Sequence, residues 1–356
     1  MPDAGRRAPG RSAAGVSGDR ILLGHGSGGK LYRDLVKDVF VAAFANTVLE
    51  RLDDAAALVT SGRVAFTTDA HVVQPLRFAG GDIGRLAVAG TVNDLATAAA
   101  RPLGLAAAFV IEEGFALAEL RAVCASMAAT AREAGVPIVT GDTKVVERGA
   151  ADGLFITTTG VGEIVVAHEL GSAAVRDGDA VILSGSIGDH AVAILAARGE
   201  FDFRADARSD CAPLWELVEA AVAAAREGVG EEAVRFLRDP TRGGLTTVLA
   251  ELAEESGLGI EVEEDAIPVS PAVRSVCGLL GYDPLTLANE GKMVLVTAAD
   301  AADAVVAAVR DTKYGREARR IGSVTAAHPG RVALRTAFGT RRVLDMPVGE
   351  LLPRIC

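Results

Sequence analysis

Aromatic side chains are scarce in this chain. It has one Trp, three Tyr and eleven Phe among 356 residues, although half of all residues are hydrophobic. Its core must therefore be built mostly from Ala, Val and Leu. Cysteine is sparse too. Cys124, Cys211, Cys277 and Cys356 stand far apart and form no Cys-x-x-Cys pair. That spacing excludes a zinc framework and a disulfide scaffold, and makes a reducing cytoplasm the default location. Positive charge is in deficit, at a net −11, so no nucleic-acid surface is expected. Acidic clusters of this kind hold cations or aid solubility. No charge-free run of about 18 apolar residues occurs, so no membrane span is expected. Residues 1–19 are rich in Gly, Ala and Arg and lack an apolar segment. They read as a disordered extension rather than a secretory signal.

The length predicts two domains. Forty glycines spread along the chain imply many tight turns and close backbone approaches. Periodic segments fall into two units that divide near residue 170, namely 20–168 and 169–335, with 336–356 as a tail. In the first unit, strands are predicted over Val64–Thr68, Leu105–Ile111, Ile138–Thr140 and Leu154–Gly162, with helices over Ile83–Ala100 and Leu117–Ala134. In the second, strands are predicted over Ala180–Ser184, Ile260–Val262, Met293–Thr297, Ile321–Val324 and Val332–Leu334. Helices are predicted over Cys211–Ala225, Leu245–Ser256 and Ala299–Val309. Several strands follow one another directly, so the expected fold class is α+β rather than a doubly wound sheet.

Four kinds of motif carry chemistry. Gly24-His25-Gly26-Ser27-Gly28-Gly29-Lys30 has the glycine and lysine spacing of a P-loop, but the next residue is Leu31, where a hydroxyl is needed for Mg²⁺. The stretch is either a flexible glycine loop before a helix or a phosphate-covering loop of another kind, in which Gly28, Gly29 and Lys30 cap a polyphosphate. Asp53-Asp54, Thr68-Asp69, Asn93-Asp94 and Gly141-Asp142 lie at the ends of elements. Each can be a helix cap or a turn; together they are the oxygen ligands that a metal–nucleotide site requires. Asp142-Thr143-Lys144 and Asn289-Glu290-Gly291-Lys292 bring a Lys and a Glu that suit an acid–base pair. His25 and His190 are candidates for phosphate contacts or base work, and the Asp239-Pro240-Thr241-Arg242-Gly243-Gly244 loop opens a helix N-terminus suited to an anion.

The last four residues, Pro353-Arg354-Ile355-Cys356, are the most informative. A terminal thiol on a swinging segment can be loaded in one place and react in another. Arg354 favours the thiolate, the terminal carboxylate opposes it, and Pro353 stiffens the approach.

From His25 to Cys356 these segments resemble the HypE family of hydrogenase maturation factors, within the ATP-binding PurM superfamily. The segments are His25 to Lys30, Gly80-Gly-Asp-Ile-Gly84, Gly90 to Leu95, Ile138 to Val146, Gly188-Asp-His190, Thr241 to Gly244, Asn289 to Lys292 and the terminal Pro-Arg-Ile-Cys. The resemblance implies a two-domain α+β fold that dimerises through its N-terminal sheets. It implies that a HypF-type carbamoyltransferase loads a carbamoyl group on Cys356 and that ATP phosphorylates the amide oxygen. Loss of phosphate and a proton then leaves a protein thiocyanate, whose cyanide passes to iron on a HypC–HypD scaffold. Mg²⁺ is expected on Asp54, Asp69, Asp94 and Asp142, with Asp53 an open alternative to Asp54. Lys30, Gly28, Gly29, Asn93, Thr143 and Arg242 are expected at the nucleotide. Lys144 with Glu290 is expected to take the amide proton, with His190 beside them and the mobile tail carrying the substrate out of water. Another superfamily enzyme, acting on a small-molecule amide or selenide, and a non-catalytic scaffold are the competing readings.

Overall fold

The protein was analysed as a computed structural model, which describes residues 19–26, 30–51, 56–199, 207–346, 352 and 354–356. The expectations for Gly28, Gly29, Asp53, Asp54 and the extension up to residue 18 lie outside the described residues.

The first half opens with short helices α1 (Lys30–Leu35) and α2 (Ala42–Phe44). There follow β1 (Val64–His71), the two-residue strands β2 (Arg77–Phe78) and β3 (Gly81–Asp82), α3 (Ile83–Thr97), β4 (Ala100–Glu112), α4 (Leu117–Glu133), β5 (Ile138–Val146) and β6 (Leu154–Ile164). The long strands form a sheet in the order β1-β6-β4-β5, in which only β4 and β5 run parallel. Asp82 caps α3, its carboxylate accepting from the Arg85 amide at 2.8 Å, which fixes where the helix starts.

α3 explains the missing aromatics. Leu86, Ala87, Val88, Ala89, Val92 and Ala96 are all fully buried, because the helix packs on the sheet on one side and on α4 and the second half on others. A helix enclosed all round needs small residues to let its neighbours approach.

The second half comprises β7 (Ala180–Leu183), α5 (Asp189–Arg198), α6 (Trp215–Gly228), β8 (Val234–Arg238), α7 (Gly244–Ser256), β9 (Gly259–Glu263), α8 (Pro271–Leu280), β10 (Val294–Thr297), α9 (Ala302–Arg310), β11 (Arg319–Thr325), β12 (Val332–Arg335) and β13 (Arg341–Leu344). Its sheet runs β13-β12-β9-β11-β7-β10-β8. Every pair is antiparallel except β12 with β9. Strand β13 carries this sheet to Leu344, past the expected boundary at 335. Strand β8 and helix α8 add to the expected elements, and α6 starts at Trp215 rather than Cys211. Strand β5 runs straight through Asp142-Thr143-Lys144, so those residues lie in a ladder and not in a loop. Among the described residues no helix is long and apolar enough to cross a membrane.

One ionic cluster ties the halves together. Glu133 at the end of α4 accepts from Arg85 of α3 at 2.9 Å, and from Lys313 and Tyr314 beyond α9. Arg85 also donates to the Cys211 carbonyl at 2.7 Å. Partial burial opposes ionisation of Glu133, but its three donors outweigh that and hold its carboxyl down at about 2. A depressed carboxyl stabilises above its ordinary value and loses that contribution as pH falls through its folded value. Glu133→Gln should therefore cost about 1–2 kcal/mol at neutral pH, allowing for solvent screening. The gap from the unaltered chain should close between pH 4.5 and about 2. Melting curves across that range check it, and a gap that ignored pH would refute the assignment.

Candidate active site

The end of the chain is docked between the two halves. Arg354 accepts at its carbonyl from the Gln74 amide at 3.3 Å and from Arg198 at 2.9 Å. The Ile355 carbonyl accepts from His190 Nε2 at 2.8 Å, and the Cys356 carbonyl from the Val72 amide at 3.2 Å. The Arg354 guanidinium donates to the Val72 carbonyl at 3.0 Å and pairs with Asp152 at 2.7 Å. Ile355 is buried and belongs to the main apolar cluster. Both partners of the Arg354 guanidinium are spent on seating the tail. Burial and then the nearby Glu290 push the Cys356 thiol up to about 12, with Arg242 pulling the other way and Asp69 adding to the push. The docked sulfur is therefore a protonated thiol, not the thiolate that an adjacent arginine suggests.

Acidic side chains surround it. Asp69, on the helix-facing side of β1, and Asp94, on α3, share a field. Thr67 Oγ1 donates to Asp94 at 2.8 Å, yet burial and Asp69 still raise the Asp94 carboxyl. Burial, then Asp94, push Asp239 up to about 7. Burial, then Asp239, Asp210, Asp69 and Asp94, raise Glu290 well above the carboxylate range, and its Oε1 is buried with no hydrogen-bond partner. Burial and the surrounding carboxylates thus favour the neutral form of Glu290. The sequence groups Asp239 with an anion loop; its carboxylate faces this cluster instead. It directly follows β8, a strand not predicted from the sequence.

The expected residues divide. Asp69, Asp94, Glu290, Arg242 and Cys356 act on one another electrostatically. Asp142 does not join them. It pairs through Ala108 and Thr157 with Ala70, whereas Asp69 pairs through Thr158 with Ala107 and Gly141. Successive strand residues face opposite ways, so Asp142 projects from the other side of the sheet. There it is exposed and bridges Lys144 at 2.9 Å. Lys144 is correspondingly exposed and has no bond to the buried Glu290, so the expected acid–base pair is not assembled within one chain. Thr143 is buried on the inner face and does not line the carboxylate cluster's mouth. Lys30 is exposed at the start of α1. His25 is buried, with Nδ1 accepting from the Leu22 amide at 3.0 Å, and it folds its own turn.

Asn93 and His190 have structural partners at every turn. Asn93 donates to the carbonyls of Ala212 at 3.1 Å and Glu290 at 3.3 Å and accepts from the Leu214 amide at 2.8 Å. It clamps the Glu290 loop rather than presenting its amide to a nucleotide. His190 is fully buried and bonded at both nitrogens, so it is not free to act as a base.

Among the described residues no three acidic, histidine or cysteine side chains are already arranged to hold a metal ion. The chemistry of the donors nonetheless fits a divalent cation. Asp69 is close enough to raise the proton affinity of Asp94, and both raise that of Asp239, and an unpartnered buried carboxyl stands behind them. Mg²⁺ keeps several waters and takes only one or two carboxylates alongside phosphate oxygens, so a preformed cage is not required.

Comparison with known proteins agrees with this picture. Residues 52–164 match the model of the AIR synthase related protein N-terminal domain, and residues 176–335 that of its C-terminal domain. The chain is 52% identical over 343 residues to the carbamoyl dehydratase HypE of Cupriavidus necator, covering 96% of each. It is similar to a crystal structure of the hydrogenase maturation protein HypE in complex with ATP, with TM-score 0.88, 47% identity and coverage of 94% of this chain and 99% of that one. It is also similar to a chain of a HypE–HypF complex, with TM-score 0.76, 44% identity and coverage of 88% and 99%.

Two substitutions separate fold from chemistry. Asn93→Ala removes three buried bonds and should cost about 2–4 kcal/mol. Glu290→Gln puts a neutral amide where burial already disfavours charge and should change stability by less than about 1 kcal/mol. As pH rises above the ordinary carboxylate value, unfolded Glu290 ionises more readily than folded Glu290, so folding loses stability. The Gln variant should lack that share of the slope. Denaturant titrations at several pH values check both, and an unaltered slope in Glu290→Gln would refute the raised carboxyl.

Proposed function

This chain belongs to the AIR synthase-related family and, within it, to the HypE carbamoyl dehydratases, and on that premise we propose that it dehydrates an S-carbamoyl group on Cys356 to a thiocyanate at the expense of ATP. The observation that carries this reading is the seat of Cys356 beside Glu290 and the Asp69, Asp94 and Asp239 carboxylates.

In this reading a HypF-type carbamoyltransferase loads the thiol while the tail is withdrawn, since the docked sulfur is a poor nucleophile. The loaded tail then returns to its seat. An amide oxygen leaves poorly as hydroxide and well as phosphate, so ATP phosphorylates it first. Breaking the carbon–oxygen bond and removing the protons from nitrogen leaves the nitrile. A divalent cation held by Asp69, Asp94 and Asp239 would offset the charge of the transferring phosphoryl group. Arg242, at the mouth, adds a positive charge that already acts on both Asp94 and Cys356. Glu290 is the carboxyl placed to take the amide proton once a bound cation offsets the neighbouring negative charge that favours its protonated form, and in a single chain it does so without Lys144. Burial of Ile355 and the tail's hydrogen bonds exclude water, which favours dehydration over hydrolysis.

The outer face of the N-terminal sheet supports a homodimer as part of this reading. Phe66 is 71% exposed there, in register with Val161 and hence with Gly104 across the sheet, and a second copy would cover it. Asp142 and Lys144 would then lie in that interface. A HypC–HypD scaffold is the proposed acceptor of the cyanide, and the four free cysteines suit the cytoplasm.

Intact-mass analysis tests the reaction. With carbamoyl donor and transferase present, the chain should gain one carbamoyl group, and a water should be lost from it only when ATP is added. Cys356→Ser should gain nothing. An adduct elsewhere, or water loss without ATP, would overturn the reading.

A further inference from the structure

Two neighbouring residues with no role so far, Ser209 and Asp210, hold both sides of the site. Ser209 faces the tail. The Cys211 amide donates to Ser209 Oγ at 3.0 Å, and Ser209 Oγ lies 2.8 Å from His190 Nδ1. His190 Nε2 meets the Ile355 carbonyl at 2.8 Å. A carbonyl can only accept, so Nε2 carries the proton. A neutral ring then offers Nδ1 as an acceptor, and the Ser209 hydroxyl must be its donor. Every hydrogen in this line therefore points from the Cys211 amide towards the tail. The edge of Phe78 meets the His190 ring, centroids 5.4 Å apart, and complete burial favours the neutral form.

Asp210 faces the other way. Its two carboxylate oxygens accept from the Glu290 and Gly291 amides, each at 3.2 Å, and Lys292 lies 3.4 Å away. Its side chain is only 3% exposed. The fit leaves no slack, since a Cβ on Gly291 would stand 1.8 Å from the Asp210 carbonyl. The platform is itself pinned by the N-terminal half. The Ser209 amide donates to the Ala79 carbonyl at 2.7 Å, and Gly80, at φ +99°, approaches so closely that a Cβ there would lie 2.6 Å from the Ser209 carbonyl.

We propose that Ser209 and Asp210 are positioning residues for the dehydration, Ser209 setting through His190 where the terminal cysteine stops and Asp210 setting where Glu290 meets it. Because the two are adjacent in one pinned segment, tail and acid are measured from a single reference. This rests on the reading of Cys356 as the reacting group. The division of labour follows from the bonds. Losing the Ser209 hydroxyl loosens the tail and leaves the Glu290 loop in place. Losing the Asp210 charge loosens the loop and leaves the tail in place.

The experiment uses the full chain and two readouts. The first is the rate at which iodoacetamide alkylates Cys356, measured on the C-terminal peptide by mass spectrometry. The second is single-turnover conversion of the partner-loaded carbamoyl group, with ATP binding measured alongside. Ser209→Ala should raise alkylation about 2- to 10-fold, the population shift expected from one net hydrogen bond. It should slow conversion by about tenfold or more with ATP binding unchanged, since misplacement rather than lost binding is the defect. Ser209→Thr, which keeps the hydroxyl, should recover part of both. Asp210→Asn should slow conversion without raising alkylation. Alkylation of Ser209→Ala at the unaltered rate would overturn the tail half. Conversion in Asp210→Asn at the unaltered rate, or conversion and ATP binding falling together, would overturn the Glu290 half. If the unaltered chain itself fails to convert the carbamoyl group, the functional reading falls and with it the catalytic role of both residues; alkylation then still reports whether Ser209 stops the tail.

Discussion

Three successive backbone carbonyls at the end of the chain each find a donor, from α5 or from the segment that follows β1, and the site depends on that seat. Gln74 and Arg198 hold the Arg354 carbonyl, His190 holds that of Ile355, and Val72 holds that of Cys356. The donors come from both halves of the molecule, so the tail can dock fully only where the halves meet. Most of these bonds read backbone, which leaves the last side chain free for chemistry. Each net bond is modest, about 1 kcal/mol, so a few of them make a seat that holds and still lets go. An end that must visit a partner cannot be anchored by much more.

The seat places a thiol where a thiolate is not tolerated. Burial, and then the carboxylates that crowd the sulfur, raise the proton affinity of Cys356 and of Glu290. This environment is hostile to nucleophilic attack and suited to dehydration of the loaded group. Once sulfur is acylated it no longer titrates, and the concentrated negative charge becomes an attraction for cations and a handle on amide protons. In the proposed reaction loading and dehydration therefore need opposite surroundings, and a terminus that leaves its seat would supply both without rebuilding the site.

Much of this is legible in the sequence, for identifiable reasons. The role proposed for Cys356, the two α+β units and the acidic character of the first half follow from local words: a terminal thiol, periodic runs, and aspartates at strand and helix ends. The words mislead where tertiary context decides. Asn93 stands beside Asp94 on α3, and adjacency suggests a shared role, but on a helix neighbours point about 100° apart. One reaches the carboxylate cluster and the other clamps the Glu290 loop. Asp142 resembles Asp69 in its setting, yet strand parity turns it to the opposite face. His190 reads as chemistry because histidine titrates, whereas burial removes that freedom and leaves it two hydrogen bonds.

Ser209 and Asp210 illustrate why the remainder is silent. Neither sits in a recognisable motif, and their partners lie far off in sequence: Ala79, His190, Glu290 and, through the imidazole, Ile355. A long-range bond leaves no periodicity behind. What does leave a trace is the glycine opposite. Gly80 and Gly291 both press against this segment so closely that a methyl group would collide with its backbone, and both lie in stretches already singled out in the sequence, 80–84 and 289–292. A glycine required by close approach points to whatever backbone approaches it. Here two of them, one from each half, point to the same short segment that holds the tail and the acid in register.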